Sequence, residues 1–554
     1  MKSIRNIKLK RILQILLFAT LPNLDLRRCV GDGDEMMFTV HGIGLVVAGI
    51  IFLHYGFKAF FKVYNLAWVA FGALSMWVIT TAYHELPLAH YYKNECQLIC
   101  ISLSLFGMIY TRMLIDFLKE RKNITVKIKA FLCKRNIPFF LWFGYILLGS
   151  IGETHFYRPE FDIIYFLPLF LIPFGKEEMM DLCEDLSNGI IYSFWIIQGY
   201  AFLRRPWVDG MLRYRGMYFN SNIFCMMCLV ILLLVLIKMT KVRKQRTVKS
   251  IRYWFWIAQY GMAFSLIVIS SGRISIFLAV VGTMLYIFVE MMMLERKKVK
   301  EMLLEGFLVV LAVCIMFPVT FACASYLPRI KKSPIDFQSE YTMWGDLNDP
   351  DNYVSVEEFV QSSFGRVFTL FSNMVKEPKA VRSVNLRSKA MPMTRADGRP
   401  MDPEYSEDKV YYLDENNYNS FELRFAIGLT YFMNLNMDGH TSWGLWITPH
   451  DWMFHAHNIF IMEAYVYGIP AGILFALWIV GLCITGIQYM KENKNHVYGI
   501  FPIFVIMLVI GFGVVEISWQ PGQISWFLLL MSAKILMENI EIKTIMAENE
   551  PKRG

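Results

Sequence analysis

The chain has 554 residues, of which 56% are hydrophobic and 18% are charged, and its formal net charge is +9. Soluble domains average roughly 45–50% apolar and about 25% charged residues, so this composition excludes an ordinary soluble domain. The positive charge falls in short segments between long apolar runs. That pattern indicates the topology of a membrane protein rather than binding of nucleic acid.

Eight uncharged runs are each close to or longer than the roughly 18–20 residues that a helix needs to cross the hydrocarbon core. They cover 36–57, 64–83, 186–203, 216–237, 253–272, 306–328, 464–490 and 497–515. In lipid only helices and closed barrels satisfy the backbone, and these runs lack the alternation of barrel strands. Shorter apolar segments bring the prediction to an all-α polytopic membrane protein with about 12–14 transmembrane helices.

Lysine and arginine predict the orientation of these helices. They concentrate before the first span and in the connections 119–135, 238–252 and 296–300. Short positive connections stay on the cytoplasmic side, so an even number of spans places both termini in the cytoplasm. The predicted parts are a transmembrane bundle over 1–326, one large extracytoplasmic loop over 327–457, C-terminal transmembrane helices over 458–540 and a cytoplasmic tail over 541–554.

The polar segment 327–457 is far longer than the about 15 residues beyond which a loop is usually functional or disordered. Two of its stretches, 356–375 and 420–435, carry apolar residues at helical spacing. They predict amphipathic helices that lie on the membrane surface or on the bundle. Between them, 376–408 is rich in proline and mixed charge and is interpreted as an irregular excursion.

Polar groups occur at four points that this topology places near the outer membrane surface. The motifs are Arg213-Tyr-Arg-Gly-Met-Tyr-Phe-Asn-Ser-Asn222, Ser270-Ser-Gly-Arg273, Glu422-Leu-Arg424 and His455-Ala-His-Asn458, the last followed by Glu463. A guanidinium binds phosphate bidentately and keeps its charge in a low dielectric, so arginines here suit a lipid-linked pyrophosphate. Histidine is the side chain best suited to act as a general base near neutral pH.

Each motif also has a simpler interpretation. Arg213, Arg215 and Arg273 could be interfacial anchors whose charges reach lipid headgroups, and the two histidines at 455 and 457 could be ordinary polar loop residues. The histidines and aspartates between 438 and 457 match no fixed spacing of metal ligands, so neither a metal nor a cofactor is predicted.

Taken in order, the motifs resemble those of the O-antigen ligase and O-antigen polymerase family of bacterial membrane glycosyltransferases. The matching features are Arg215-Gly216…Asn220-Ser-Asn222, Ser271-Gly-Arg273, Arg424…Gly439-His440 and His457-Asn458…Glu463…Gly468-Ile-Pro470…Gly472. The resemblance covers about 210–490. It departs from the family pattern after the loop arginine, where a tryptophan is replaced by Gly428-Leu-Thr-Tyr431, and after Gly439, where His-Thr-Ser replaces a second glycine. Both departures concern the half of the loop that would bind the acceptor.

The resemblance implies a C-type membrane glycosyltransferase (GT-C) fold in the bacterial cytoplasmic membrane and catalysis without a metal. It implies a glycan donor on undecaprenyl pyrophosphate and an acceptor hydroxyl on a second lipid-linked glycan, for a polymerase, or on a lipid core, for a ligase. The implied roles are donor pyrophosphate binding for Arg273 and Arg424 with Arg215, and general base for His457. Supporting roles are implied for Asn458, Asn222 and Glu463.

Two other classes of protein are compatible with part of the sequence. A flippase or other transporter of lipid-linked oligosaccharides would suit many spans with intramembrane arginines, but it does not require a long outer loop, and the chain has no visible pair of hydrophobic halves. A structural membrane protein with a receptor-like outer segment is the third possibility.

Overall fold

The computed structural model describes residues 2–24, 35–82, 93–119, 137–150, 159–203, 213–218, 221–245, 250–331, 357, 360, 420–440, 444–446, 452–453, 455–514 and 523–549. This part of the chain is almost entirely helical. Its α-helices are α1 (Lys2–Phe18), α2 (Leu21–Leu24), α3 (Glu35–Tyr55), α4 (Leu66–Ala82), α5 (Lys93–Lys119), α6 (Ile137–Ser150), α7 (Pro159–Leu171), α8 (Lys176–Phe202), α9 (Ser221–Gln245), α10 (Ile251–Ile269), α11 (Arg273–Phe288), α12 (Val299–Lys331), α13 (Ser420–Met433), α14 (Ile459–Tyr467), α15 (Ile469–Glu492), α16 (Phe501–Gly513) and α17 (Ile524–Asn549).

Six helical segments in the described part are long and apolar enough to cross a membrane. They are Val63–Ala82, Cys96–Lys119, Ser221–Gln245, Arg273–Leu294, Val299–Pro328 and Ile469–Glu492. Three shorter apolar helices cover Val40–Tyr55, Ile137–Leu147 and Val497–Gly513. The prediction of a helical membrane protein with many spans is therefore supported, whereas the count of 12–14 and the GT-C fold stay predictions.

Two predicted spans have helix boundaries in the structure that differ from the bounds of their apolar runs. The run 216–237 becomes helical only at Ser221, because residues 213–218 form an irregular approach in which Gly216 has a positive φ of 58°. The run 464–490 is divided at Gly468, whose φ of 93° interrupts the helix between α14 and α15. Pro470 can then stand in the first turn of α15, where its missing N–H costs no helical hydrogen bond.

Helix α9 is the central helix of the bundle, and its residues from Phe224 to Thr240 are buried. At its C-terminal end Arg243 forms ion pairs with Glu290, Glu295 and Glu305. These contacts bring the end of α9 together with the π-helical continuation of α11 (Val289–Leu294) and the start of α12. The described parts of the lysine-rich connection 238–252, together with the connection 296–300, therefore lie at one end of the bundle.

The four polar motifs lie at the opposite end. The start of α9 meets the end of α10 through Arg213, which bridges Asn222 and the Ser270 carbonyl. The start of α14 meets the end of α16, where Asn458 donates to the Val514 carbonyl at 3.3 Å. The charge pattern predicts this separation, with the lysine-rich end and the polar motifs on opposite membrane faces. The assignment of the lysine-rich face to the cytoplasm stays a prediction.

The described part of the loop 327–457 is mainly its C-terminal portion. Helix α13 (Ser420–Met433) confirms the helical spacing of 420–435, whereas 356–375, apart from residues 357 and 360, and all of 376–408 lie outside the described residues. Two short strands that the all-α prediction omitted, β1 (Leu445–Trp446) and β2 (Trp452–Met453), pair antiparallel. At the predicted boundaries at 326 and 540, α12 and α17 both continue further.

Candidate functional site

A tight turn connects α10 to α11 and presents Arg273. Helix α10 ends at Ile269 and α11 begins at Arg273, with Ser271 in the left-handed region at a φ of 52°. Gly272 is required at this turn, because a Cβ there would lie 2.6 Å from the Cys225 sulfur of the neighbouring helix α9. The turn is therefore pressed against the start of α9, and the exposed Arg273 side chain leaves it at the helix N-terminus.

Arg213 fastens this turn to α9. Its Nε donates to the Ser270 carbonyl at 2.9 Å, and its Nη2 donates to Asn222 Oδ1 at 2.7 Å. The next residue, Tyr214, is fully buried, and its hydroxyl accepts from Gln198 Nε2 at 2.5 Å. Because a planar guanidinium fixes the direction of each donor, the two bonds set the geometry between the turn and α9. Asn222, predicted to support the site, accepts one of these two bonds.

Arg424 and Arg213 lie within electrostatic reach of Arg273. The positive charges of Arg424 and Arg213 both act on the Arg273 guanidinium. These three residues, the arginine cluster, come from the approach to α9, from the start of α11 and from the loop helix α13. Bringing three like charges together costs electrostatic energy, which an anion bound among them would offset. The cluster therefore has the positive charge that a phosphate or pyrophosphate site requires.

Arg215, predicted to support pyrophosphate binding, lies in the approach to α9. Its side chain is half-buried, and its carbonyl accepts from the Tyr218 N–H at 3.1 Å. Tyr218 is buried against Phe224 of α9, with 5.6 Å between the ring centroids. The described contacts thus place Arg215 in the turn that leads into α9. Arg213 belongs to the same motif, but the sequence assigned it no specific role at the pyrophosphate.

Helix α13 holds Arg424 next to the segment that contains His457. Its buried residues Ile427 and Tyr431 pack into a small apolar cluster with Ala456 and Tyr465. Gly428, one turn after Arg424, comes so close that a Cβ there would lie 3.4 Å from the Ala456 carbonyl. Four residues of helix rise about 6 Å, so Arg424 and His457 stand on neighbouring segments at one end of the bundle.

His457 has an unusual backbone conformation, with a φ of 50°. Non-glycine residues seldom adopt the left-handed region, and such residues are often found at functional sites, where the surrounding structure holds them. The side chain of His457 is half-buried. The His455 and His457 rings meet edge to face, with centroids 4.2 Å apart and an angle of 83° between the planes.

Asn458 holds this conformation as the N-cap of α14. Its Oδ1 accepts from the Phe460 and Ile461 N–H groups at 3.0 and 3.1 Å, while its Nδ2 donates to Val514 of α16. An asparagine at this position satisfies helix donors that otherwise lack partners. Asn458 therefore supports His457 by fixing the main chain, and an asparagine before an apolar run was the sequence signal for this cap.

Glu463, predicted to support the site, is buried inside the bundle. Its carboxylate is 4% exposed and accepts from the Trp142 indole N–H of α6 at 3.1 Å. Trp142 itself stacks on Trp478 of α15, with centroids 5.3 Å apart. Glu463 thus ties α14 to α6 through a hydrogen bond inside an aromatic cluster, a partner that sequence reasoning did not identify.

The glycine motifs form a backbone interlock between the loop and the break after α14. Segment 436–440 lies against segment 465–469, and the Ile469 N–H donates to the Asn436 carbonyl at 2.9 Å. A Cβ at Gly439 would lie 2.3 Å from the Val466 carbonyl, and one at Gly468 would lie 2.2 Å from the Met437 carbonyl. The chain can approach this closely only because both residues are glycine. The interlock fixes where α13, and with it Arg424, sits on the bundle.

His440 belongs to this interlock. Its ring stacks on Tyr465 with centroids 3.9 Å apart, and its Nδ1 lies 2.9 Å from the Tyr465 carbonyl. Within the described residues, no three or more of His, Cys, Asp and Glu are grouped so that they could hold a metal ion. His450 and Asp451, which entered the metal interpretation, lie outside that part of the chain.

The fold and this site define a helical membrane protein with an arginine cluster at one end of its bundle. A scan against models of known protein families gave no match, and a search of curated proteins gave none either.

Proposed function

We propose that the protein transfers a glycan from undecaprenyl pyrophosphate to a sugar hydroxyl on the outer face of the bacterial cytoplasmic membrane. It would act as a polymerase or ligase in the biosynthesis of a surface polysaccharide such as capsule, exopolysaccharide or O-antigen. The observation that carries the proposal is the placement of two arginines: Arg273 begins α11 at the turn that Arg213 bonds to α9, and Arg424 lies on the helix that packs against the segment containing His457. The order of the sequence motifs supports the same assignment.

The reaction needs a base and a stabiliser for the leaving group. The acceptor hydroxyl oxygen attacks the anomeric carbon of the donor sugar and forms the new glycosidic bond. The bond from that carbon to the pyrophosphate oxygen breaks, and undecaprenyl pyrophosphate leaves with the electron pair. His457 accepts the hydroxyl proton, and Arg273 and Arg424 bind the pyrophosphate, whose negative charge increases in the transition state.

The cluster suits this task because its positions are fixed before the donor binds. Arg213 is anchored to Ser270 and Asn222, and it orients the turn that carries Arg273. The interlock of Gly439 and Gly468 holds the helix that carries Arg424. Groups positioned in advance stabilise a developing charge without a reorganisation cost during the reaction.

A deletion strain tests the proposed function. If the protein is a polymerase, the strain loses long glycan chains and retains single repeat units. If it is a ligase, full-length chains remain on the lipid carrier and are absent from the final acceptor. A normal distribution of chain lengths on the normal acceptor would refute both forms of the proposal.

One observation favours a transporter as the second candidate. Helix α8 presents four carboxylates, Glu178, Asp181, Glu184 and Asp185, to cations on α1 and α9, including an ion pair of 2.8 Å between Arg11 and Asp185. Asp185 is fully buried, and a buried ionisable group in a membrane bundle often marks a translocation pathway. A flippase would move the lipid-linked glycan across vesicle membranes and form no new glycosidic bond.

A further inference from the structure

An apolar groove lies between α9, α11 and α16. It encloses about 110 Å³ of free space, and its walls include Leu232, Gly282, Leu285 and Leu508. At Gly282 an added Cβ would meet nothing within 4 Å, so the groove is open at this point of α11. Val281 and Met507, which stand at its two edges, are 42% and 39% exposed on the outside of the bundle. The groove therefore opens sideways, toward the position of the lipid.

The polar groups in the wall of the groove are directed to partners outside it. Thr283 Oγ1 hydrogen-bonds the Tyr260 hydroxyl of α10 at 2.7 Å. The Tyr286 hydroxyl hydrogen-bonds Thr240 Oγ1 of α9 at 3.1 Å. Since these side chains are already paired, the surface that remains in the groove is hydrocarbon. Such a surface favours an apolar occupant over water.

The groove and the arginine cluster share the same two helices. Helix α11 begins with Arg273 and reaches Gly282 nine residues later, a rise of about 14 Å. Helix α9 begins beside Asn222, which is bonded to Arg213. Along the outside of α11, Phe277 and Val281 are exposed and form an apolar path from Arg273 to the groove.

We propose that this groove binds the polyprenyl chain of a lipid whose pyrophosphate lies on the arginine cluster. The inference rests on the proposed function and adds to it a second binding region about 14 Å along α11 from the arginines. Charge complementarity selects the occupant: a cationic cluster at one end and an apolar groove beyond it match an anionic headgroup with a long hydrocarbon chain. The groove would hold the chain below the headgroup and so set the depth and direction from which the donor sugar reaches His457.

Gly282→Leu tests the groove, because its side chain would fill the open space at that position. Gly306→Leu is the matched control, since Gly306 of α12 also has open space around a Cβ but lies outside the groove. The purified protein in nanodiscs is titrated with farnesyl pyrophosphate, which has a prenyl chain, and with isopentenyl pyrophosphate, which has the same headgroup on a very short chain. Gly282→Leu should lower the affinity for farnesyl pyrophosphate about tenfold, the equivalent of about two buried methylene groups. It should leave the affinity for isopentenyl pyrophosphate unchanged. Gly306→Leu should leave both unchanged.

Arg273→Ala separates this inference from the proposed function. It should lower the affinity for both ligands by a similar factor, because both carry the pyrophosphate. If Gly282→Leu binds farnesyl pyrophosphate like the wild type while Arg273→Ala does not, binding of the prenyl chain in the groove is refuted and the pyrophosphate site is supported. If Gly282→Leu weakens binding and Arg273→Ala does not, the groove holds hydrocarbon but the pyrophosphate site of the proposed function is refuted. Absence of saturable binding by the wild type overturns the inference.

Photolabelling of the wild-type protein gives a second measurement that does not depend on how a variant folds. A farnesyl pyrophosphate analogue with a diazirine at the end of its chain should label α9, α11 and α16 near Gly282. Unlabelled farnesyl pyrophosphate should compete for these positions. Equal labelling of the exposed face of α12, without competition, would mean that the probe reports the bulk lipid and would refute the groove.

Discussion

Gly468→Ala should destabilise the contact that holds the outer loop to the bundle. The new Cβ would lie 2.2 Å from the Met437 carbonyl, a backbone atom that no side-chain rotation can move away. The backbone angles of Gly468, φ 93° and ψ 158°, are themselves strained for any residue with a Cβ, at a cost of about 1–3 kcal/mol. Separation of the segments would also weaken the Ile469–Asn436 hydrogen bond, worth a net of about 0.5–1.5 kcal/mol. A total loss of about 2–4 kcal/mol is expected.

The assay is thermal unfolding of the detergent-solubilised protein, followed in parallel with glycan transfer. Gly468→Ala should lower the midpoint and reduce transfer, because the shift of segment 436–440 moves α13 and Arg424. Gly199→Ala is the control: this exposed glycine of α8 has open space around a Cβ, so the change should be neutral or stabilise by up to about 1 kcal/mol. Equal midpoints and equal transfer for both variants would refute the interlock.

Three further predictions concern the site and the topology. Arg273→Lys should reduce transfer nearly as much as Arg273→Ala, since a point charge does not replace a planar fork. The loss of one or two charged hydrogen bonds of about 1.5–3 kcal/mol each lowers the rate by on the order of 10²–10³. A lysine variant that keeps most of its activity at equal expression would show that Arg273 is a membrane anchor. His457→Ala should abolish transfer and leave donor binding largely intact, while His455→Ala should reduce transfer much less. Near-normal turnover of His457→Ala would exclude a general-base role for His457. A cysteine placed at Ser388 should react with an impermeant thiol reagent in intact cells and one placed at Gln245 should not; the reverse result would invert the topology.

The membrane character and many helix boundaries could be predicted from the sequence, because a helix that spans lipid needs a long uncharged run. The two boundaries that were wrong lie where the run is apolar but the backbone is not helical. Composition gives no sign of the positive φ at Gly216 or at Gly468, and Gly468 is packed against Met437 of the distant outer loop. The pair β1 and β2 was missed for a similar reason, since two-residue strands are too short to show alternation.

The sequence predicted the residue types of the site but not the contacts between them. A guanidinium near the outer surface suggested phosphate binding, but the pattern did not distinguish Arg213 from Arg215, two residues apart in one motif. Their difference depends on long-range contacts: Arg213 bonds the carbonyl of Ser270, 57 residues away. The partner of Glu463, Trp142, is 321 residues away and could not be inferred from spacing. Gly439 and Gly468 entered the family resemblance as separate motifs, and only the fold brings them into contact.

Reconstituted transfer distinguishes a glycosyltransferase from a transporter. The purified protein in proteoliposomes is given an undecaprenyl-pyrophosphate-linked glycan and a glycan acceptor, and both the product glycan and the released lipid carrier are measured. We expect one undecaprenyl pyrophosphate to be released for each new glycosidic bond, and both products to be lost in Arg273→Ala. Movement of the lipid-linked glycan across the bilayer by the wild-type protein, without any new glycosidic bond, would contradict it and identify a transporter.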